Sequence, residues 1–391
     1  MRILYHHRIA SKDGQYVHVE ELTQALRRQG HEILMVAPKL MADHEFGRGS
    51  QLVARLKRHI PASVYELLEL AYALVAFVQI LVTALRHRPD CLYERYNLYL
   101  PSGVWASRLL RIPLLLEVNA PLFEERQRFN GIALPRLARW SEGYVWRRAH
   151  RALPVTQVLA ERMIARGVDP TRIRVLPNGI DTEKFRYCPD THEAKATLGL
   201  ADRLVLGFTG FVREWHGLEQ VVDLLAEHRT HRHLLIVGDG PACPSIRERA
   251  RALGVEDRVT ITGIVPRDQV ARYVAAFDIA LQPDVVDYAS PLKLFEYLAL
   301  GRAIVAPDKA NIREILTHGH NGLLFDCGNT DAFKQAVERL CNDAPLRARL
   351  SAQARRTIQE KQLTWDHNAT RVVEAAARLI EDNRKARSQR A

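Results

Sequence analysis

The segment DYASPLKLFEYLALGRAIVAP, residues 287–307, places a lysine at the start of a predicted helix. Ser290 is a favourable N-cap, and Pro291 suits the first helical position, where its missing N–H group costs nothing. The helix is expected to end at Gly301, before the apolar strand AIVAP. Lys293 therefore lies in the first turn, where the helix dipole disfavours a cation by up to ~1 kcal/mol.

Two explanations account for this lysine. In the first, an anion binds the backbone N–H groups of Leu292 and Lys293, and the lysine side chain adds a positive charge to that site. In the second, Lys293 points outward and pairs with Glu296 three residues later, which contributes ~0.2–0.5 kcal/mol. Considered alone, the segment favours the second explanation, so the choice between the two depends on the neighbouring predicted elements.

Glycine-bearing loops follow several predicted strands in the same half of the chain. They come after LVLGFTGF (204–211), HLLIVGDG (233–240) and VTITG (259–263), and the helix with Lys293 follows the strand IALQP (279–283). The carboxyl ends of parallel strands meet at one edge of a sheet, which is where ligands bind in open α/β folds. This coincidence favours an anion site at the N-terminus of the lysine-bearing helix.

The whole chain alternates between apolar strand-like runs and helical stretches. One series begins with the strand RILYH and a helix over about 15–28, and a second begins after the turn LPNGID at 176–181. Such alternation predicts parallel sheets covered on both faces, and two series predict two doubly wound α/β domains with a linker near 175–185. The length of 391 residues also favours two domains.

Composition narrows the class of protein. Hydrophobic residues make up 47% of the chain and charged residues 26%, which is typical of a globular protein. The five cysteines form no CxxC pair, which fits a reducing compartment and argues against a zinc site. The formal charge of +11 implies an acidic partner, such as a phosphorylated small molecule, nucleic acid or an anionic membrane. No nucleic-acid-binding motif accompanies the charge, so we expect no nucleic-acid partner.

Two segments raise the question of a membrane. The uncharged run Leu70–Leu85 is shorter than the ~20 apolar residues of a spanning helix, and it is interpreted as a buried helix, with a helix lying in a membrane interface as the alternative. The basic and aromatic segment 134–153 is either an ordinary solvated helix or a surface helix that binds anionic lipid.

Several nucleotide and hydrolase motifs are absent from the sequence. The first strand-to-helix turn lacks G-x-G-x-x-G, and the chain contains no P-loop, no G-x-S-x-G elbow and no H-E-x-x-H. A dinucleotide-dependent redox enzyme, a P-loop enzyme, a serine hydrolase of that type and a zinc protease of that type are therefore disfavoured.

Five motifs together resemble a known family. LPNGID, GFTGFVREWHGLE, LLIVGDGP, SPLKLFEYLALGRAIVAP and HGHNGLLFDCGNTDAF are similar, in order and spacing, to the GT-B glycosyltransferases of family GT4, which include bacterial polysaccharide-assembly enzymes. The resemblance implies a GT-B fold, in which two doubly wound Rossmann-like domains face a central cleft. It implies an acceptor-side domain at 1–178, a nucleotide-sugar domain at 179–364, and a C-terminal helix at 365–391 that crosses back to the first domain and carries a basic tail.

The resemblance also implies residue roles on the donor side. Glu296 matches the family's second glutamate, which takes the ribose hydroxyls, while Tyr288 stands where the first glutamate would meet the sugar. The family's phosphate-binding Arg and Lys positions fall on Phe211 and His216. Arg213 is the substitute that we expect to bind the diphosphate, and His216 is expected to belong to the donor-binding set as well.

Further residues complete the expected site. Lys293 supplies a second positive charge beside the Leu292 amide, and Gly14 and Gly238 lie on loops that approach the donor. In the first domain, Asn119 takes the place of the family's histidine, and it can donate a hydrogen bond to the sugar without carrying a proton. The expected catalytic set is Asn119, Arg213 and Lys293, with no protein nucleophile assigned.

The resulting expectation is a metal-independent, retaining glycosyltransferase of the hexosyltransferase type, with no cofactor. It would move a sugar from a nucleotide-sugar donor to a glycan or lipid-linked acceptor in cell-surface polysaccharide biosynthesis. Its expected place is the cytoplasm, with peripheral binding at the inner face of the plasma membrane. The alternatives are a nucleotide-sugar epimerase or phosphorylase on the same scaffold, and a non-catalytic basic protein that binds nucleic acid or a membrane.

Overall fold

A computed structural model describes residues 1–9, 14–38, 60–129, 131–186, 189–227 and 231–389. The chain divides into two compact units. Unit 1 consists of Met1–Pro177 together with Trp365–Ala391, and unit 2 consists of Asn178–Thr364. The first change of unit falls inside the turn LPNGID, where Asn-Gly supplies the turn chemistry.

The core of unit 1 is a five-stranded parallel sheet with the order β2-β1-β3-β4-β5. Every residue of β3 and β4 is buried, because helices cover both faces of the sheet. The strands are β1 (Arg2–His6), β2 (Glu32–Val36), β3 (Cys91–Arg95), β4 (Leu114–Val118) and β5 (Arg151–Pro154).

Within the described ranges, six helices lie between or after these strands, and a seventh comes from the C-terminal segment. They are α1 (Gly14–Arg28), α2 (Ala62–His87), α3 (Ser102–Leu110), α4 (Leu122–Phe129), α5 (Pro135–Arg148) and α6 (Gln157–Ala165), with the C-terminal helix Trp365–Ser388. A 3-10 turn covers Pro170–Arg172.

The C-terminal helix is an integral part of unit 1. The Trp365 ring meets the edge of His18 on α1 with centroids 4.7 Å apart, and Arg28 forms an ion pair with Asp366 at 2.9 Å. Asn368 Nδ2 donates to the carbonyl of Pro177 at 2.7 Å. These contacts join the last residues of the chain to both the first helix and the last residue before unit 2.

Unit 2 contains a six-stranded parallel sheet with the order β11-β10-β9-β6-β7-β8. Gly207 in β6 leaves room for the ring of Phe277, which a Cβ atom at residue 207 would overlap. The strands are β6 (Leu204–Thr209), β7 (Arg232–Val237), β8 (Val259–Ile261), β9 (Ile279–Leu281), β10 (Ala303–Pro307) and β11 (Leu323–Phe325).

The helices of unit 2 pack on both faces of that sheet. They are α7 (Thr182–Arg186), α8 (Thr191–Thr197), α9 (Glu219–Glu227), α10 (Cys243–Ala252), α11 (Arg267–Ala275), α12 (Leu292–Ala299), α13 (Ala310–Arg313), α14 (Thr330–Asn342) and α15 (Ala344–Glu360), with 3-10 turns at Glu214–His216 and Glu256–Arg258. Two doubly wound α/β units confirm the predicted fold class.

The interpretation of Leu70–Leu85 as a buried helix is wrong. The helix that contains it, α2, is long and apolar enough to cross a membrane, yet only 28% of its most apolar window is buried. Large aliphatic side chains of α2 point away from the sheet, while its small residues and two glutamates face inward. The periodicity of an all-apolar run does not reveal which face turns inward.

Candidate functional site

The start of α12 lacks the predicted serine cap. Helix α12 begins at Leu292, Pro291 occupies the N-cap position, and no side chain caps the helix in the described part of the chain. Ser290 is engaged elsewhere, because its Oγ accepts from the backbone N–H of Asn178 at 3.1 Å and its carbonyl accepts from Asn178 Nδ2 at 2.6 Å. The prediction of Ser290 as N-cap is therefore wrong, and the first amides of α12 have no partner within the helix.

Lys293 is a half-buried cation at this helix start. Its Nζ lies 3.7 Å from the centroid of the Phe208 ring, and its side chain passes beside Gly210. Within the described ranges, no carboxylate lies within salt-bridge distance of the Lys293 ammonium. Burial lowers the pKa of Lys293 to about 7, and the charge of Glu296 offsets only part of that effect.

Glu296 has a different partner from the one considered above. Its carboxylate Oε1 accepts from Arg267 Nη1 at 3.0 Å, and its side chain is only 5% exposed. The alternative of a Lys293–Glu296 surface pair is therefore wrong. Sequence reasoning missed Arg267, although its position offered a signal: it begins α11, directly after the loop that follows β8.

Glycines allow two loops at the sheet edge to pack against each other. Gly238 has φ +146, and a Cβ atom at residue 238 would overlap the carbonyl of Gly210. A Cβ atom at Gly240 would likewise overlap the backbone of Val212. The N–H of Gly210 donates to the carbonyl of Val237 at 2.9 Å. Gly238 and Gly240 are thus required by the backbone, which brings the ends of β6 and β7 together.

His216 and Arg213 lie in the next turn of the β6 loop. The backbone N–H of Arg213 donates to His216 Nδ1 at 3.0 Å, so this nitrogen is an acceptor. Burial, followed by the charges of Lys293 and Arg213, lowers the pKa of His216 to about 3. His216 is therefore neutral and orders the loop. The Arg213 guanidinium lies 5.0 Å from the Phe211 ring and 4.9 Å from the Trp215 ring, where it is exposed.

The loop before α12 is fixed by residues that follow β10. Lys309 Nζ pairs with Asp284 at 2.6 Å. Asn311 Nδ2 donates to the carbonyls of Val286 and Ala289, at 3.1 and 2.7 Å. These contacts hold the turn that carries the half-buried Tyr288.

The structure thus brings five predicted donor residues together in unit 2. Arg213, His216, Gly238, Leu292 and Lys293 lie at the carboxyl ends of β6 and β7 and at the start of α12. Glu296 lies one turn further along α12. No group of three His, Cys, Asp or Glu side chains that could hold a metal ion is found in the described part of the chain.

Two predicted residues belong to unit 1. Gly14 is the first residue of α1, and the loop before it lies outside the described residues. Asn119 follows β4, and its Nδ2 donates to Glu117 Oε1.

Glu117 is the centre of a buried polar cluster in unit 1. Its carboxylate accepts from Arg95 Nη1 and from the Tyr93 hydroxyl, each at 2.7 Å, and His18 Nδ1 lies 3.2 Å away. Burial alone would raise the pKa of Glu117, but His18, Arg95 and these hydrogen bonds lower it below its ordinary value. Burial is also the main reason why the pKa of His18 falls to about 4.

A second buried pair lies beside this cluster. His6 Nδ1 and Glu94 Oε2 are 2.6 Å apart, and Gly103 on α3 provides space for the Glu94 carboxylate. Glu94 Oε1 has no hydrogen-bond partner among the described residues. Sequence reasoning missed this pair. The sequence signal for this pair was the charged or titratable residue at the end of each apolar run, such as the histidines in ILYHH and the glutamate in CLYER.

Comparisons with known proteins agree with this geometry. The family described as "Glycosyltransferase Family 4" matches residues 12–184, and the family described as "Glycosyl transferases group 1" matches residues 203–343. The chain is 26% identical over 260 residues to alpha-D-kanosaminyltransferase of Streptomyces kanamyceticus, covering 63% of this chain and 66% of that protein. It is 26% identical over 385 residues to D-inositol 3-phosphate glycosyltransferase of Jonesia denitrificans, covering 91% and 89%.

Solved structures show the same fold. Anabaena HepE in complex with UDP has a TM-score of 0.75 and 18% identity, covering 96% of this chain and all of that one. Sucrose-phosphate synthase of Thermosynechococcus elongatus has a TM-score of 0.74 and 18% identity, covering 98% of this chain and all of that one. The matches to both family descriptions, the two parallel sheets and the cationic start of α12 lead to one conclusion: the chain belongs to the group 1 glycosyltransferases of family GT4 and has the GT-B fold.

Proposed function

We propose that the protein is a retaining glycosyltransferase whose unit 2 binds the diphosphate of a nucleotide-sugar donor at the start of α12. The observation that carries this proposal is the Lys293 ammonium, which is half-buried, lacks a carboxylate partner in the described residues, and lies beside Gly210 and the first amides of α12. A buried cation without a counter-ion is costly, and a bound diphosphate would compensate its charge.

The chemistry of sugar transfer requires such a site. When the bond between the sugar and the diphosphate breaks, negative charge grows on the departing diphosphate while the sugar becomes cationic. Lys293, Arg213 and the N–H groups of Leu292 and Lys293 would stabilise that growing charge. A bound diphosphate would also raise the pKa of Lys293 and keep it protonated. These groups can act without a metal ion, so we expect full activity in the presence of a chelator.

Glu296 and Arg267 support a role in ribose binding. Because Arg267 holds the Glu296 carboxylate at 3.0 Å, the carboxylate has a fixed orientation on α12. A carboxylate held in a fixed orientation is a suitable acceptor for two neighbouring hydroxyl groups. The solved structures of HepE contain UDP, and UDP with glucose, so UDP-sugars are the first donors to test.

On the acceptor side, Asn119 is the residue that we assign to sugar contact. An amide nitrogen carries two hydrogens, so Asn119 can donate to a hydroxyl while Glu117 holds it in place. We propose a glycan or lipid-linked acceptor in the assembly of a bacterial surface polysaccharide, reached from the cytoplasmic side. One relative is named after D-inositol 3-phosphate, so small polar acceptors should be tested alongside the glycan and lipid-linked acceptors.

The direct test is a thermal-shift screen with UDP-, GDP-, ADP- and dTDP-sugars, followed by turnover with acceptor. A donor at about 100 times its Kd should stabilise the protein by about 2.7 kcal/mol. Turnover should release nucleoside diphosphate steadily, which an epimerase would not do, and NMR of the product should show the donor's anomeric configuration. Absence of a shift with every donor, in both wild type and Lys293→Met, would overturn the proposal.

A further inference from the structure

The helix α2 presents its large aliphatic side chains to the outside of unit 1. Along its outer face, eight large residues are at least two-fifths exposed, up to 59% at Leu74 and 64% at Leu85. The stripe consists of Val64, Leu67, Leu68, Leu74, Val75, Val78, Val82 and Leu85. The spacing follows helical periodicity, so these side chains form one continuous apolar surface about 30 Å long. A surface of this kind marks an interaction site, unlike scattered apolar residues.

The inner face of α2 holds its only two carboxylates. Glu66 accepts from the N–H groups of Ala133 and Leu134 at 2.7 and 2.8 Å, and from the Tyr99 hydroxyl at 2.8 Å. Glu69 forms a two-pronged ion pair with Arg126, at 2.6 and 3.0 Å. This network fixes the rotation of the helix, so the apolar stripe cannot turn inward.

Small residues complete the inner face. Ala73, Ala76 and Ala84 are buried in the unit, as is Ile80. Three of the buried side chains are thus alanines, while eight large aliphatic side chains face solvent, which an ordinary amphipathic surface helix would avoid. Burial of the two glutamates also argues against a spanning role, because crossing the bilayer would take the Glu66 and Glu69 carboxylates out of their network and into hydrocarbon.

Basic residues flank both ends of the stripe. Near Glu66, helix α5 begins and carries exposed Arg136, Arg139 and Trp140. At the other end, α2 finishes with exposed Arg86 and is followed by exposed Arg88.

Helix α3 adds to the second basic flank. It packs against α2, with the Trp105 ring edge-on to Phe77 at 6.2 Å. Its last turn exposes Arg108 and Leu109, and Arg111 follows it. Arginine and tryptophan around an apolar stripe are typical of helices that lie in the interface of an anionic bilayer.

We propose that the outer face of α2 docks on an anionic membrane surface, with the helix lying in the plane of the interface and the flanking arginines contacting lipid headgroups. A second copy of the chain is the competing occupant. A two-fold dimer through the stripe would bring basic ends of the two copies together, and like charges would repel. The proposal goes beyond sugar transfer and does not depend on which donor is used.

The test is co-sedimentation of the full chain with vesicles. One set contains equal parts of phosphatidylcholine and phosphatidylglycerol, and the other contains phosphatidylcholine alone. We expect binding to the anionic set, weakened by salt, and a loss of about tenfold or more in the bound fraction for the Leu74→Glu/Val78→Glu double variant. Leu253→Glu, an exposed leucine after α10 of unit 2, is the matched control and should bind like wild type.

Two measurements keep the outcomes distinct. Sedimentation velocity without lipid should give the same mass for wild type and for the double variant. Thermal melting with donor should be unchanged by the double variant, which separates this inference from the donor site. A wild-type dimer that becomes monomeric on Leu74→Glu/Val78→Glu and ignores vesicles would overturn the proposal, as would equal vesicle binding by wild type and double variant.

Discussion

The carboxyl ends of the two parallel sheets differ in how their charges are balanced. In unit 1, Glu117 is surrounded by Arg95, Tyr93 and His18, and Glu94 pairs with His6. In unit 2, the corresponding edge carries the exposed Arg213 and the Lys293 ammonium, which has no carboxylate within salt-bridge distance in the described chain. Unit 1 neutralises its own charges, whereas unit 2 leaves positive charge for a ligand.

Because of this difference, we expect the carboxyl edges of the two similar sheets to have different roles. Charges that are already paired contribute to the stability of the unit, and a ligand can contact them only through groups such as Asn119 that they hold in place. Charges that lack a partner destabilise the empty protein and favour binding. Substitutions on the two edges should therefore affect different measurements, which the following experiments test in order of decreasing effect.

The largest effect is expected for Glu117→Leu in unit 1. Removing this carboxylate leaves Arg95 buried without its partner, which should lower the free energy of unfolding by about 3–5 kcal/mol. Urea denaturation measures the change. Glu32→Gln is the control, because it breaks the exposed Arg2–Glu32 pair and should cost less than about 1 kcal/mol. Equal losses for the two variants would contradict the contrast between the edges.

Lys293→Met should show the opposite behaviour. We expect kcat/KM to fall about 10²–10³-fold, because a positive charge facing the leaving diphosphate is lost. The melting temperature without donor should stay the same or rise, since a half-buried cation is replaced by an apolar side chain of similar shape. Lys361→Met, at the end of α15, is the matched control for activity. A stable variant with normal kcat/KM would refute the role of Lys293.

The pKa of about 7 at Lys293 gives a pH test. Donor binding needs the protonated form, so the apparent affinity should fall about tenfold from pH 6 to pH 8. Stability should move the other way. Because the folded pKa lies below the unfolded value, the unfolded chain binds more protons between pH 7 and 10.5, and wild type should gain stability relative to Lys293→Met as the pH rises through that window. Parallel pH profiles for the two proteins would be inconsistent with this titration.

The smallest effect is expected for Arg213→Ala. The guanidinium is exposed and lies between two aromatic rings, so the KM for donor should rise about fivefold with little change in stability. Arg213→Lys should restore part of the affinity, because it keeps the charge and loses the fork geometry. Steady-state kinetics at several salt concentrations would measure both, and an Arg213→Ala variant whose KM rises with salt as steeply as that of wild type would contradict a phosphate contact.

Much of unit 2 could be predicted from its sequence, and less of unit 1. The five strands between residues 204 and 307 were predicted within a few residues, because short apolar runs alternate with clear turn residues such as Gly238 and Gly263. The GT-B fold and the GT4 family, which were predicted from the ordered motifs, are confirmed by the two family matches and by the solved structures. The local sequence pattern is enough to predict a strand or helix when turn residues mark both of its ends.

The errors share a physical cause, since each depends on contacts that are distant in sequence. Ser290 does not cap the helix, because its oxygen atoms accept hydrogen bonds from Asn178, which lies far earlier in the chain. Glu296 pairs with Arg267 instead of Lys293, and His6 finds Glu94 across the sheet. The prediction that Leu70–Leu85 forms a buried helix was wrong, because a run without charged residues has no polar face to indicate which side meets solvent.

The composition of unit 1 from both ends of the chain has a consequence for biosynthesis. Unit 2 is continuous, from Asn178 to Thr364, so it can fold as soon as it leaves the ribosome. Unit 1 cannot cover His18 until Trp365 and the C-terminal helix have been synthesised. The nascent chain therefore exposes an unfinished unit 1 until Trp365–Ser388 has been synthesised, and a stop codon near residue 364 would leave unit 2 intact while unit 1 loses its final helix.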